Sequence, residues 1–157
     1  MRAKEAIPDL IAGLSADDDP RIRAECASAL VWFKDTAVRD ALLSALDDAD
    51  ADVACQATRG LPRTPDSEVV ERLSDLVVRG QPARAVYAAD ALARIRNDAA
   101  LPALAGALER EEPGVSDAAA RALRRFRTPA AKEILREARR DRRIGRLAQA
   151  VLELLKP

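Results

Sequence analysis

The chain has 157 residues, 48% hydrophobic and only 3% aromatic, and its 26 basic and 26 acidic side chains cancel to a formal net charge of zero. That length suits one domain, residues 1–157, able to bury about two-thirds of its unfolded surface in a single stacked core. Without histidine the chain lacks the commonest general base and metal ligand, which excludes Ser-His and Cys-His nucleophiles, and no apolar run approaches the roughly 18 residues of a membrane span.

Zero net charge conceals a polarity along the chain: residues 1–78 carry 9 basic and 16 acidic side chains, residues 79–157 carry 17 and 10. Such an imbalance acts on partner choice and association rate rather than on fold. Met1-Arg2-Ala3-Lys4-Glu5 leads straight into an amphipathic pattern, without the apolar segment of a secretory signal. Two cysteines, Cys26 and Cys55, are too few for a disulfide framework, so a reducing cytoplasm is the expected location.

One interval organises the elements. Leu30, Leu61, Leu92, Leu123 and Leu154 stand 31 residues apart, and Ile11, Leu42, Leu73, Leu104 and Leu135 keep the same period. Units that bury their apolar faces only by stacking on neighbours produce this signature. In the first unit, helix A carries Ile7, Ile11 and Leu14, and helix B follows Pro20. The next A helices carry Val38, Leu42 and Leu46, then Val69, Leu73 and Leu76, each a single apolar stripe. B helices place small residues where helices must approach closely: Cys26, Ala57, Ala88, Ala119 and Ala150 are equivalent, as are Ala29, Gly60, Ala91 and Ala122.

Pro20, Pro82 and Pro113 share the phase just before helix B, where a missing N–H costs least. Asp35, Asp66 and Asn97 are placed to cap each following helix A. The prediction is an all-α chain of about five two-helix repeats, approximately 4–35, 36–66, 67–97, 98–128 and 129–157.

Ile22-Arg23-Ala24-Glu25-Cys26-Ala27-Ser28-Ala29-Leu30 and Val115-Ser116-Asp117-Ala118-Ala119-Ala120-Arg121-Ala122-Leu123 resemble the V-R-x-x-A-A-x-A-L signature of HEAT repeats. The likeness is to the short bacterial type shared with phycobilisome-lyase-like repeats. It implies a right-handed α-solenoid whose B helices line a concave surface. Ala54 departs from the motif, as does Arg84 at an apolar position, and Pro62-Arg63-Thr64-Pro65 truncates the second helix B.

No catalytic residue, metal or cofactor is expected, and the HEAT-like hydroxylases, which hold iron through His-Glu pairs, are excluded as functional relatives. The acidic turns Asp17-Asp18-Asp19 and Asp47-Asp48-Ala49-Asp50-Ala51-Asp52 lack the glycine and distal glutamate of an EF-hand and read as solvated turns and helix N-terminal charges, which the helix dipole favours. Cys26, at a core alanine position, reads as a small buried hydrophobe.

The outer face of helix B is more informative. Stepping by 31 from Trp32 gives Arg63, Arg94, Arg125 and Lys156; one turn earlier stand Arg59, Asp90 and Arg121, and a further turn back Tyr87. Trp32, Arg59, Arg63, Tyr87, Asp90, Arg94, Arg121 and Arg125 are therefore the candidate partner-binding residues. Arginine grips carboxylate or phosphate bidentately, and an exposed aromatic offers a stacking surface. The competing reading is that the arginines pair with acidic neighbours and keep the face soluble, with Val31-Trp32-Phe33 folded back over the first repeat.

These features point to a non-enzymatic scaffold that holds an acidic protein or peptide in its concave groove, with no membrane partner. One alternative is nucleic-acid binding, by likeness in architecture to alkylpurine DNA glycosylases, against which the acidic first half counts. Another is a bilin lyase-like subunit, implied by the phycobilisome-lyase resemblance. The complementary halves also leave open a monomer or a salt-sensitive head-to-tail self-association.

Overall fold

Helices begin where proline and short polar side chains fall. The computed structural model describes residues 2–63, 65–140 and 145–154, without the side chains of residues 2, 3, 63 and 146. Its helices are α1 (Arg2–Glu5), α2 (Ile7–Ala16), α3 (Pro20–Leu30), α4 (Thr36–Ser44), α5 (Ala51–Gly60), α6 (Ser67–Arg79), α7 (Pro82–Ile95), α8 (Leu101–Leu108), α9 (Pro113–Phe126), α10 (Pro129–Ala138) and α11 (Gly145–Glu153). Short 3-10 turns at Ala45–Asp47, Leu61–Arg63 and Asp98–Ala100 complete a set that is entirely helical among the described residues. From α2 onward the helices follow one another in the paired A and B order of two-helix repeats.

Pro20, Pro82 and Pro113 each open a B helix. The side chains of Asp35 and Asn97 accept the backbone N–H of Ala37 and Ala99, and Asp66 accepts that of Val69, so all three cap as their sequence phase predicts. Thr128 does the same for Ala131 at the start of α10. The chain divides into two compact units, Met1–Val69 and Val70–Pro157.

In the first unit α3 packs against α2 and α5, and α4 packs against α2 and α5. Leu30, Leu42, Leu46, Val53, Ala57 and Leu61 form its buried interior. Gly60 shows why the small-residue phase is kept. A Cβ there would lie 2.5 Å from Leu42 Cδ1 and 3.4 Å from the Val31 Cα. Gly13 makes similar room for Cys26, whose Sγ lies 2.7 Å from where its Cβ would stand. Cys26 itself is half-buried rather than buried, and desolvation raises its thiol pKa, with Asp17 and Glu25 adding to the effect.

The acidic turns are not simply solvated. Arg23, the arginine of the repeat motif, donates from Nε and Nη2 to both Asp48 carboxylate oxygens at 2.8 Å, and from Nη1 to the Asp17 carbonyl at 2.9 Å. Only 17% of the Arg23 side chain and 12% of that of Asp48 is exposed. One guanidinium thus ties the turn of the first repeat to the turn of the second, which corrects the expectation from sequence. Asp50 and Asp19 meanwhile cap α5 and α3. Arg39 adds a second tie, pairing with Asp40 at 2.6 Å and with Asp66. The Asp66 carboxyl is held below the usual carboxylate range, chiefly by the Val69 N–H and then by Arg39.

In the second unit α7 packs along α9, which also receives α8, α10 and α11. α7 buries Ala85, Ala88, Ala89, Ala91, Leu92 and Ala93, and α9 buries Val115, Ala118, Ala119, Ala120, Ala122 and Leu123. The A-helix stripe runs through Val77 and Leu108, both buried, while Leu76 is half-buried, so the 31-residue register passes one position later than the sequence reading placed it. Leu92 and Leu123 are fully buried, but Leu154 is 66% exposed and ends the leucine series outside the core. Arg110 repeats the role of Arg23 with different partners. Its Nη1 donates to the carbonyls of Val77 and Gly80, both at 3.0 Å, capping the end of α6, while Nη2 binds Glu112 at 2.9 Å. That contact, first among its causes, lowers the Glu112 pKa.

α7 and α9 end alike. Arg96 (φ 54°) and Arg127 (φ 55°) adopt the left-handed conformation, and no other non-glycine residue among those described does so. The Arg96 N–H closes α7 on the Leu92 carbonyl at 2.8 Å. This helix-ending position normally takes glycine, because a Cβ there costs about 1–2 kcal/mol.

Two outcomes follow for stability. Arg23→Ala removes the guanidinium that bridges Asp48 and the Asp17 carbonyl and is expected to lower the thermal midpoint by about 5 °C. Arg21→Ala, which breaks a 2.7 Å pair with Asp19 whose arginine is 89% exposed, should shift it by about 1 °C or less; thermal unfolding monitored by circular dichroism compares them. The double variant Arg96→Gly/Arg127→Gly should in turn raise the midpoint by a few degrees, since the relieved strain exceeds glycine's added unfolded-state entropy. A lowered midpoint would contradict that reading.

Candidate functional site

Helical spacing decides which outward residues can act together. Tyr87, Asp90 and Arg94 lie at i, i+3 and i+7 on α7, and Arg121 and Arg125 at i and i+4 on α9, the helix packed beside it. Arg94, Arg121 and Arg125 are exposed, Tyr87 is 39% exposed and Asp90 is half-buried. These five candidates therefore belong to the second unit.

The first unit holds the others. Trp32 follows α3 in a turn and is 72% exposed, the most exposed large hydrophobic side chain among those described. Arg59 is exposed on α5 and donates to Gln56 at 3.0 Å. The backbone of Arg63 belongs to the 3-10 turn after α5, while its side chain, like the whole of Lys156, lies outside the described residues. The file read from the sequence thus divides between two units, Trp32 and Arg59 in one and Tyr87, Asp90, Arg94, Arg121 and Arg125 in the other.

Two of the predicted residues meet in one cleft. Arg94 and Arg125 line a cavity of about 420 Å³ together with Ala93, Arg96 and Arg127. Arg96 and Arg127 were missed by the sequence reading, which followed only helical faces. Both stand just beyond a helix end, where the left-handed residue turns the chain back. The signal was present: Arg94-Ile95-Arg96 and Arg125-Phe126-Arg127 are copies of one Arg-x-Arg pattern, 31 residues apart. Ile95 is half-buried and Phe126 buried, so the middle residue anchors each pair while its arginines face the cleft.

The electrostatics of the two units differ in sign. Residues 1–69 carry 8 basic and 14 acidic side chains, whereas residues 70–157 carry 18 and 12. The four-arginine cleft lies in the basic unit, and no acidic residue lines it. Chemically it can bind anions: guanidinium groups offer paired N–H donors to carboxylate or phosphate. Among the described residues no group of three or more His, Cys, Asp or Glu side chains is placed to hold a metal ion. No helix among them is long and apolar enough to cross a membrane.

Comparison with known proteins agrees with this architecture. Among solved structures, the chain is similar to one in the complex of CpcE and CpcF of phycocyanin lyase from Nostoc sp. PCC7120. The TM-score is 0.69 at 20% identity, covering 95% of this chain and 99% of that one. An engineered protein is similar with a TM-score of 0.59 at 25% identity, covering 96% of this chain and 79% of that one. No curated protein matches. The first of these likenesses establishes the fold alone, but the family pattern described as HEAT repeats matches residues 1–61 and 79–156. Most of the length is thereby accounted for, and the chain belongs to the HEAT-repeat family.

Proposed function

We propose that this HEAT-repeat chain is a non-enzymatic scaffold that holds an acidic protein or peptide on the outward faces of its B helices. The observation that carries the reading is the cleft where Arg94 and Arg125 meet Arg96 and Arg127 on a unit with an excess of basic side chains. Arginine beside exposed Tyr87, with exposed Trp32 in the other unit, supplies the residue types that dominate protein-binding hot spots. The similar Nostoc chain is found in a complex of CpcE and CpcF, and a role in holding a partner is the corresponding reading by fold analogy. Cys26 and Cys55 are both free thiols, which suits a reducing cytoplasm.

A second reading has an observation in its favour. The same exposed arginines, with Arg96 and Arg127, form a basic face that phosphates would also find attractive. Mobility shift of a DNA duplex at low salt separates the two, because a scaffold for acidic proteins gives no shift at micromolar protein.

The test of the main reading is affinity capture from native cell extract with the full chain, repeated with Arg94→Glu/Arg121→Glu/Arg125→Glu. Charge reversal on an exposed face leaves folding intact and should abolish recovery of the specific partner. Undiminished capture would rule these arginines out as its binding surface.

A further inference from the structure

We propose that the open edge of α3 is a docking seat for the α11 end of a second copy of this chain, so that copies associate head to tail. The seat shares no residue with the arginine cleft, and the inference stands independently of the protein-binding reading.

The 31-residue period shows what belongs in the seat. α5 carries Val53, Ala57 and Gly60 at this phase and packs on α3, where a Cβ on Gly60 would stand 3.4 Å from the Val31 Cα. Val53 and Ala57 are fully buried. Val115, Ala119 and Ala122 hold the same phase on α9, which packs along α7, and they too are fully buried. One period before Val53, Ala57 and Gly60 stand Ile22, Cys26 and Ala29 of α3. Among the described residues these are left partly open. Ile22 is 47% exposed, Cys26 and Ala29 are half-buried, and with Leu10 of α2 they line a cavity of about 650 Å³. A stack of repeats stays soluble when the face left open at its edge is polar. Here the open face keeps the apolar and small residues of an interior one, so what fits it is another B helix of the same repeat.

α11 offers the matching surface. The leucine beside the Val31 contact, Leu30, is fully buried, whereas its period mate Leu154 is 66% exposed and Leu152 is half-buried. Charge follows the same polarity. Asp19, paired with Arg21, and Glu25 border the seat. Residues 1–69, which hold the seat, carry 8 basic and 14 acidic side chains, and residues 70–157, which hold α11, carry 18 and 12. Docking either edge on its own copy would set like charges together, whereas a contact of one edge with the other brings opposite charges face to face.

The experiment is analytical ultracentrifugation of the full chain over a range of concentrations at low and high salt. The weight-average mass should rise with concentration past that of one chain, and less so at high salt. Ile22→Arg and Leu154→Glu, both at exposed positions, should each weaken association by about tenfold or more, because the contact then buries a charge that faces its like. Ile22→Ser, which removes the apolar contact without adding charge, should act in the same direction, and circular dichroism checks that all three variants stay helical. Ile22→Arg and Leu154→Glu each keep one intact edge, so an equimolar mixture should form a complex of one chain of each that neither forms alone. A wild-type chain that is monomeric at every concentration in both salts would overturn the proposal, as would a mixture that stays monomeric. A dimer broken by Ile22→Arg but indifferent to Leu154→Glu would also overturn it, since the seat would then be docking on itself.

Discussion

The close approach of α7 and α9 through alanine is the constraint on which the second unit depends. Ala85, Ala88, Ala89, Ala91 and Ala93 on one helix, and Ala118, Ala119, Ala120 and Ala122 on the other, leave almost no surface accessible. Small side chains lose little entropy on burial and let two backbones come together, so the larger leucines can fill the space between layers. Such packing tolerates little added volume. In the first unit Gly60 serves the same end, standing where even a methyl group would press on Leu42.

What the alanines hold together, the arginines hold in register. Arg23 and Arg110 each reach the turn of a neighbouring repeat and satisfy carbonyls that a helix end would otherwise leave open. Their side chains are mostly buried, at 17% and 16% exposed. The arginines of the cleft belong to a different class. They are exposed, they stand at helix ends, and two of them sit on backbone better suited to glycine. The arginines that tie turns together and those that line the cleft are thus distinguished by burial and by their place on the helices, although the chain uses one residue type for both.

The fold was largely legible in the sequence because a 31-residue period repeats its evidence. Leu30, Leu61, Leu92 and Leu123 are all buried, and Pro20, Asp35, Asp66, Pro82, Asn97 and Pro113 stand at helix starts. The departures have local causes. Leu154 falls in the turn after α11 instead of in a B helix, and Val77 replaces Leu76 because α6 runs to Arg79 and carries its stripe one position further. Asp19 and Asp50 serve as the helix N-terminal charges that the acidic turns suggest, but the tie from Arg23 to Asp48 is not legible, because the two are 25 residues apart and nothing local couples them. The site was half legible for a related reason. Helical periodicity finds Arg94 and Arg125, but Arg96 and Arg127 reach the cleft by a left-handed turn that no helical wheel contains.

The central claim is that the small-residue seam sets the distance between B helices and so positions everything they carry. Ala119→Leu tests it most directly, because Ala119 is fully buried and the substitution adds volume without polarity or charge. Urea denaturation should show a loss of about 1–3 kcal/mol. A variant as stable as the wild type would mean that the seam has room to spare, and that something other than close packing holds these helices together.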